Sequence, residues 1–449
     1  MDKSDNISIL KSFHLNQKFF IVIGCIILFY ALGFAYTFFE AIANVSLLTL
    51  SILCIVECIL LLTQSHKLRA TRKTTKLLSL GDDNLVHLQI HNDSSIHLHL
   101  ILYDEIPFQF QQRDFSISLN LLPQEKKSFT YTLRPHSRGE YHFGVVNAIA
   151  SSLIGFMSRR VILANKMMVP VYPSIIQMKK YELLAFARIS NFEGIKKVRR
   201  LGHSYEFEKI RQYALGDDLR SINWKATGRR NHLMVNQYED ERSQQVYSII
   251  DKSRSMHMPF NGLSLLDYAI NTSLVISNIA LKKFDKTGLV TFSHRIGSAI
   301  PADSSTLQLK KILSALYHEQ AMTVEANYEL LYRAIKNVIR VRSLLFIYLN
   351  FESSYAMERA LPVLKKINHL HLLVVLIFEN TELVKFSTKK PEFVSDIYAQ
   401  TIAQKLLNDK KQLAAKLRKH GIQTILCKPE DLSMRTVNKY LELKSRGMI

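Results

Sequence analysis

Cysteine is scarce in this chain: four residues in 449, which excludes a disulfide-stapled secreted scaffold. Glycine (15) and proline (10) are also few, and no internal repeat or low-complexity linker is visible, so the chain is neither collagen-like nor disordered. Tryptophan occurs once, at Trp224. Catalytic signatures are missing as well. There is no phosphate-cradling G-x-x-x-x-G-K-[ST], no G-x-S-x-G elbow and no zinc-type Cys/His spacing, which argues against an enzyme. What is plentiful is positive charge, with 59 Lys+Arg against 38 Asp+Glu and a formal net charge of +21. A mean hydropathy of +0.02 beside that charge implies a very apolar segment averaged with a basic soluble part. The length suggests two or three domains.

The apolar segment is near the start. Phe19 to Phe39 is a run of 21 residues without a charge, long enough as a helix to span the roughly 30 Å of a bilayer core. A second run, 42–63, is interrupted only by Glu57. Residues 19–39 and 42–63 therefore read as a transmembrane hairpin rather than a cleaved signal peptide. Lys3, Lys11 and Lys18 precede it, and Lys67, Arg69, Arg72, Lys73 and Lys76 follow it. By the positive-inside bias, segment 1–18 and the soluble domains face the cytoplasm. Glu57 is an intramembrane acid and a functional suspect by default, although snorkelling or pairing with a neighbouring helix is the simpler expectation. Cys25, Cys54 and Cys58 inside these runs read as packing residues.

Residues 80–173 alternate apolar and polar side chains in short runs broken by turn residues, the pattern of a β-sandwich. His97 and His99 share a strand face there, but no third ligand accompanies them. From 244 to 449 strands alternate with helices, at about 245–250, 287–293, 343–349, 370–378 and 422–427. That rhythm predicts an α/β domain with a doubly wound, mostly parallel sheet. In such a sheet ligands gather beyond the carboxyl ends of the strands. The first strand ends there with Asp251-Lys252-Ser253-Arg254-Ser255, whose carboxylate and hydroxyls are hard oxygen ligands suited to Mg²⁺ or Mn²⁺.

This stretch resembles a von Willebrand factor A-type domain, whose metal-ion-dependent adhesion site uses the D-x-S-x-S string plus a distant Thr and Asp. The resemblance makes Asp251, Ser253 and Ser255 metal ligands, with Thr323 as the Thr. Where the Asp is expected, after strand 343–349, this chain has Asn350, which offers a neutral carbonyl and weakens the site.

Residues 174–243 carry the most distinctive string. Gly216-Asp217-Asp218 reads as a tight turn, with an Asp placed to cap the next segment. Arg220 and Arg229 are placed to clamp carboxylates or anions, and Trp224 to anchor a packed junction. Acids and bases packed so densely are expected to form structural ion pairs; the same grouping, Asp217, Asp218 and Arg220, as an acid/base cluster is the alternative enzyme reading. The string Tyr-x-x-Gly-Asp-Asp-x-Arg-x-Ile-x-Trp-Lys-Ala-Thr-x-Arg, which includes Lys225, resembles the signature of the bacterial domain of unknown function 58 family. Arg138 to Gly144 and Val169 to Pro173 resemble that family too, as does the order of segments. Gly228 stands where members commonly have Ala. The resemblance implies a protein of the bacterial inner membrane, associated with MoxR-type AAA+ ATPases.

The charge is unevenly placed. Residues 1–173 hold 16 Lys+Arg and 12 Asp+Glu, whereas 174–449 hold 43 and 26. A basic domain tethered beside an anionic leaflet fits a membrane surface or protein partner better than nucleic acid. The run 196–200 and the tail 405–446 are its densest patches. The whole predicts a membrane-anchored protein-interaction module.

Overall fold

The computed structural model describes residues 12–192, 206–214, 217–239, 243–351, 353–391 and 393–448; Gly216 and the basic run 196–200 lie outside them. The chain divides into two compact units, Met1–Tyr172 and Pro173–Ile449.

The first unit joins apolar helices to a β-rich body. The first helix is Gln17–Gly33, 17 residues, and the second is Thr37–Gln64, 28 residues. Among the described residues one helix, Thr37–Lys67 with its terminal turn, is long and apolar enough to cross a membrane. The reversal lies at residues 34–36 and not at the expected Glu40. Gly33 allows it: a Cβ there would meet the Glu40 nitrogen at 3.0 Å. The Tyr30 hydroxyl then donates to Asn44 Oδ1 across the helix pair at 2.7 Å.

Two antiparallel sheets face each other in the body. One has the spatial order Phe13–Leu15, Met157–Ala164, Val146–Ser151, Leu98–Asp104, Ser116–Leu121. The other comprises Leu68–Lys73, Asn84–Asn92 and Lys126–Leu133. Alternation is plain in Asn84–Asn92, where every second residue is buried. Leu88 and Ile90 meet Leu98, Leu100, Leu102, Val146 and Ala148 in one core. A third sheet holds Leu78–Ser79, Met167–Tyr172 and Gly139–Phe143.

Glu57 neither snorkels nor pairs with a helix neighbour. It is fully buried and accepts four hydrogen bonds from the loop before Met157–Ala164. The Ser152 hydroxyl (2.6 Å) and the Gly155 N–H (3.0 Å) reach Oε1, while the N–H groups of Phe156 and Met157 (3.0 Å each) reach Oε2. Arg159 caps the same helix end, donating to the carbonyls of Leu61 and Leu62 and to Ser65 Oγ. An acid in an apolar helix is thus explained by a body of β-structure that supplies its donors.

The second unit is built on a six-stranded sheet: β1 (Gln245–Asp251), β2 (Lys286–Phe292), β3 (Ile296–Asp303), β4 (Leu344–Leu349), β5 (Leu372–Phe378) and β6 (Gln423–Cys427), in spatial order β3-β2-β1-β4-β5-β6. All neighbours are parallel except the edge strand β3. The central strands are near-continuous apolar runs because both faces are covered. Val246, Ile250, Phe346 and Tyr348 pack under helices Leu265–Lys282 and Leu432–Ser445. Tyr247, Ile249, Leu345 and Ile347 pack under helices Tyr328–Val338, Ser354–Leu370 and Val394–Lys419. A capping box between Ser264 and Asp267 starts the helix that follows β1. Before the sheet, strands Glu206–Gln212 and Met234–Glu239 form an antiparallel pair.

Candidate functional site

In the order β3-β2-β1-β4-β5-β6 the sheet changes direction of winding between β1 and β4, and the carboxyl ends at such a switch are where open α/β sheets take their ligands. Asp251 is the last residue of β1, Asn350 follows β4, and Phe378 ends β5. Asp251 is buried. Its Oδ1 accepts the Ser253 N–H (2.8 Å) and its Oδ2 the Ser253 hydroxyl (3.0 Å), and the Ser253 and Ser255 hydroxyls lie 3.1 Å apart. Burial pushes the Asp251 carboxyl up to about 6 against those two bonds.

The Thr323 loop lies alongside. The Met322 N–H donates to the Lys252 carbonyl (2.7 Å) and the Arg254 N–H to the Val324 carbonyl (3.0 Å). Thr323, exposed, sits between these two bonds. The fold therefore brings Asp251, Ser253, Ser255, Asn350 and the Thr323 loop to one end of the sheet.

Three charged residues here escaped the sequence reading. Lys252 is buried and pairs with Glu319 at 2.8 Å. Glu319 also accepts from the Thr291 hydroxyl (2.7 Å) and from Ser298 Oγ (2.6 Å). Burial would raise the Glu319 pKa, but the Lys252 ammonium and the two hydroxyls outweigh it and hold the carboxyl below its ordinary value. Gly297 on the edge strand makes room for this pair, since a Cβ there would come within 2.5 Å of Lys252 Nζ and 2.4 Å of Thr291 Oγ1. The third residue is Lys410, from helix Val394–Lys419. Its Nζ donates to Asn350 Oδ1 (3.0 Å) and to the Phe378 carbonyl (2.8 Å). Burial lowers the Lys410 pKa to about 8, opposed by Glu379. Lysines crowd that helix, so no pattern singles out position 410. A Lys inside D-x-S-x-S was the one available hint of the Lys252–Glu319 pair.

The signature string forms its own small structure away from these residues in sequence. Arg211 grips Asp217 with two bonds of 2.7 and 2.6 Å, and the Ala214 N–H adds a third at 2.8 Å. Those bonds, the Arg211 pair first, hold the Asp217 carboxyl low. Asp218 caps the turn Leu219–Ser221 through the Arg220 N–H (3.0 Å). Asn223 caps helix Trp224–Arg230 through the Ala226 N–H (2.9 Å). Both acids are thus engaged in local backbone structure. Trp224 does not anchor a packed junction: it begins that helix on its outer side and is 71 % exposed. Arg220, Lys225 and Arg229 are exposed as well.

The comparisons agree with this signature. Residues 209–383 match the family described as "Protein of unknown function DUF58". The uncharacterized protein YeaD of Bacillus subtilis (strain 168) is 25 % identical over 163 residues, covering 35 % of this chain and 40 % of that relative. Among solved structures, the conserved hypothetical protein BatB from Bacteroides thetaiotaomicron covers 45 % of this chain and 99 % of its own at 12 % identity and a TM-score of 0.28. The CARDB domain of the PF1109 protein from Pyrococcus furiosus, solved in complex with di-metal ions, covers 23 % of this chain and 86 % of its own at 16 % identity and a TM-score of 0.18. Neither structural likeness is close enough to transfer anything to this chain. The signature residues Asp217, Asp218, Arg220 and Trp224 fall inside the matched stretch, so the sequence signature and the family model point to the same family of unknown function over residues 209–383.

Proposed function

We propose that this chain is a membrane-anchored protein-interaction module with a von Willebrand factor A-like second unit, and that a MoxR-type AAA+ ATPase docks on the carboxyl end of its sheet. The observation that carries the reading is the convergence of Asp251, Ser253, Ser255, Asn350 and the Thr323 loop at the switch between β1 and β4. The carboxyl end of an open α/β sheet at such a switch is the usual place for a ligand.

Membrane anchoring is supported by the helices Gln17–Gly33 and Thr37–Gln64, which expose Phe20, Ile27, Phe34, Phe38, Val45 and Ile55. So much apolar surface calls for a lipid cover. In this reading the two helices form a hairpin, and the basic residues Lys67, Arg69, Arg72, Lys73 and Lys76 keep both termini and both soluble units in the cytoplasm. An enzyme using Asp217, Asp218 and Arg220 is the weaker reading, because both acids already serve as caps and clamps.

The test is co-purification from native membranes. An AAA+ ATPase retained by the wild-type chain and reduced about tenfold or more by Thr323→Arg, an exposed change, supports the docking face. Equal retention by both chains places the partner elsewhere and overturns it.

A further inference from the structure

The resemblance of the second unit to metal-binding adhesion domains raises the question of fit, and Asn350 answers it. Its amide is oriented from both sides. Oδ1 faces the Lys410 ammonium at 3.0 Å, and Nδ2 donates to the Ser255 carbonyl at 2.8 Å. Turning the amide over would set its NH₂ against an ammonium and its oxygen against a carbonyl, two repulsions in place of two bonds. The atom that Asn350 turns toward the Ser255 loop is therefore a hydrogen-bond donor, which cannot ligate a cation.

The rest of the set points the same way. Asp251 contributes the single carboxylate among the expected ligands, and each of its oxygens already accepts from Ser253. A divalent ion taking Asn350 Oδ1 as a ligand would also share that atom with an ammonium, and like charges so close around a buried side chain repel strongly.

Lys410 is itself well placed as a cation. It reaches in from helix Val394–Lys419 and joins the ends of β4 and β5 through Asn350 and the Phe378 carbonyl. We propose that Lys410 takes the place of a divalent ion at this end of the sheet, with Asn350 as a strut between the ammonium and the Ser255 loop, so that the face works without bound metal. The inference deepens the docking reading above and rests on it for the face's purpose, whereas its own tests do not involve the partner.

The experiment uses the full-length chain in nonionic detergent and Mn²⁺ as the probe, followed by electron paramagnetic resonance. Wild type and Asp251→Ala are expected to leave the free Mn²⁺ signal equally intense into the millimolar range. Stoichiometric loss of signal with wild type that Asp251→Ala abolishes would overturn the proposal. Lys410→Met combined with Asn350→Asp removes the ammonium and restores the carboxylate. It is expected to bind Mn²⁺ at least about tenfold more tightly than wild type, and a folded double variant with no gain counts against Lys410 as the stand-in. Should that variant fail to fold, single substitutions decide through thermal unfolding. Lys410→Met is expected to lower the midpoint by several degrees and Lys410→Arg to restore much of the loss, with wild type unmoved by EDTA or Mg²⁺. A wild-type midpoint raised by Mg²⁺, or one unchanged by Lys410→Met, overturns the proposal. Loss of the ATPase in a pull-down leaves all of these readings untouched, so the two ideas fail separately.

Discussion

Lys252 holds the Thr323 loop from two directions. Its carbonyl accepts from Met322 while its side chain reaches Glu319. Replacing Glu319 by Gln leaves a buried ammonium without its counter-charge, and a loss of about 3–5 kcal/mol is expected in denaturant unfolding. The pH dependence follows from the direction of the shift. Glu319 sits below its ordinary 4.5 in the folded state, so its contribution is complete above that value and fades as pH falls through the folded pKa. The gap between wild type and Glu319→Gln should be full at neutral pH and shrink below about 4.5; a gap constant down to pH 3 would contradict the ion pair. Trp224 gives a second residue-scale test, because it is the only tryptophan and is 71 % exposed. Emission of the purified chain should be red-shifted and readily quenched by acrylamide. A blue, shielded emission would mean that the signature helix is covered. From sequence Trp224 passed for a packing anchor, since size and apolarity do not reveal which side of a short helix faces out. Asp218 was legible as a cap because a tight turn followed by a polar segment has few other uses for it.

At the scale of elements, the end of helix Thr37–Gln64 and the loop before Met157–Ala164 form one mechanical joint. Glu57→Ala strands one hydroxyl and three N–H donors, and about 2–4 kcal/mol of stability should be lost in the first unit. Glu57→Gln should restore little, because one oxygen becomes an NH₂ facing N–H donors. Faster amide exchange at Gly155, Phe156 and Met157 in both variants is the measurement; unchanged protection would contradict the joint. Elements were legible where their pattern is strong. The central strands announce themselves as unbroken β-branched and aliphatic runs, and Asn84–Asn92 as strict alternation. The reversal at residues 34–36 was hidden, because Gly33 lies inside an apolar run that counts as a single span. Edge strand β3 was missed because its alternation is only half-buried and it follows β2 after a tight turn. Strand Glu206–Gln212 was hidden by its four charged residues, Glu206, Glu208, Lys209 and Arg211, which leave no apolar alternation to read.

For the whole molecule, the excess charge has a location. Of the +21 total, residues 174–449 carry 43 Lys+Arg against 26 Asp+Glu, which suits a unit held beside an anionic leaflet. The reading predicts that protease added to inside-out membrane vesicles digests the β-rich body and the second unit, while right-side-out vesicles protect them. Protection in the opposite sense would reverse the topology. The central claim concerns which end of the sheet meets the partner, and site-specific photo-crosslinking in native membranes addresses it most directly. A crosslinker at Thr323 probes the carboxyl end. One at Phe284, 71 % exposed just before β2, probes the amino end. The account predicts that an AAA+ ATPase is captured from position 323 and not from 284. Capture from 284 alone, or equally from both, would contradict it.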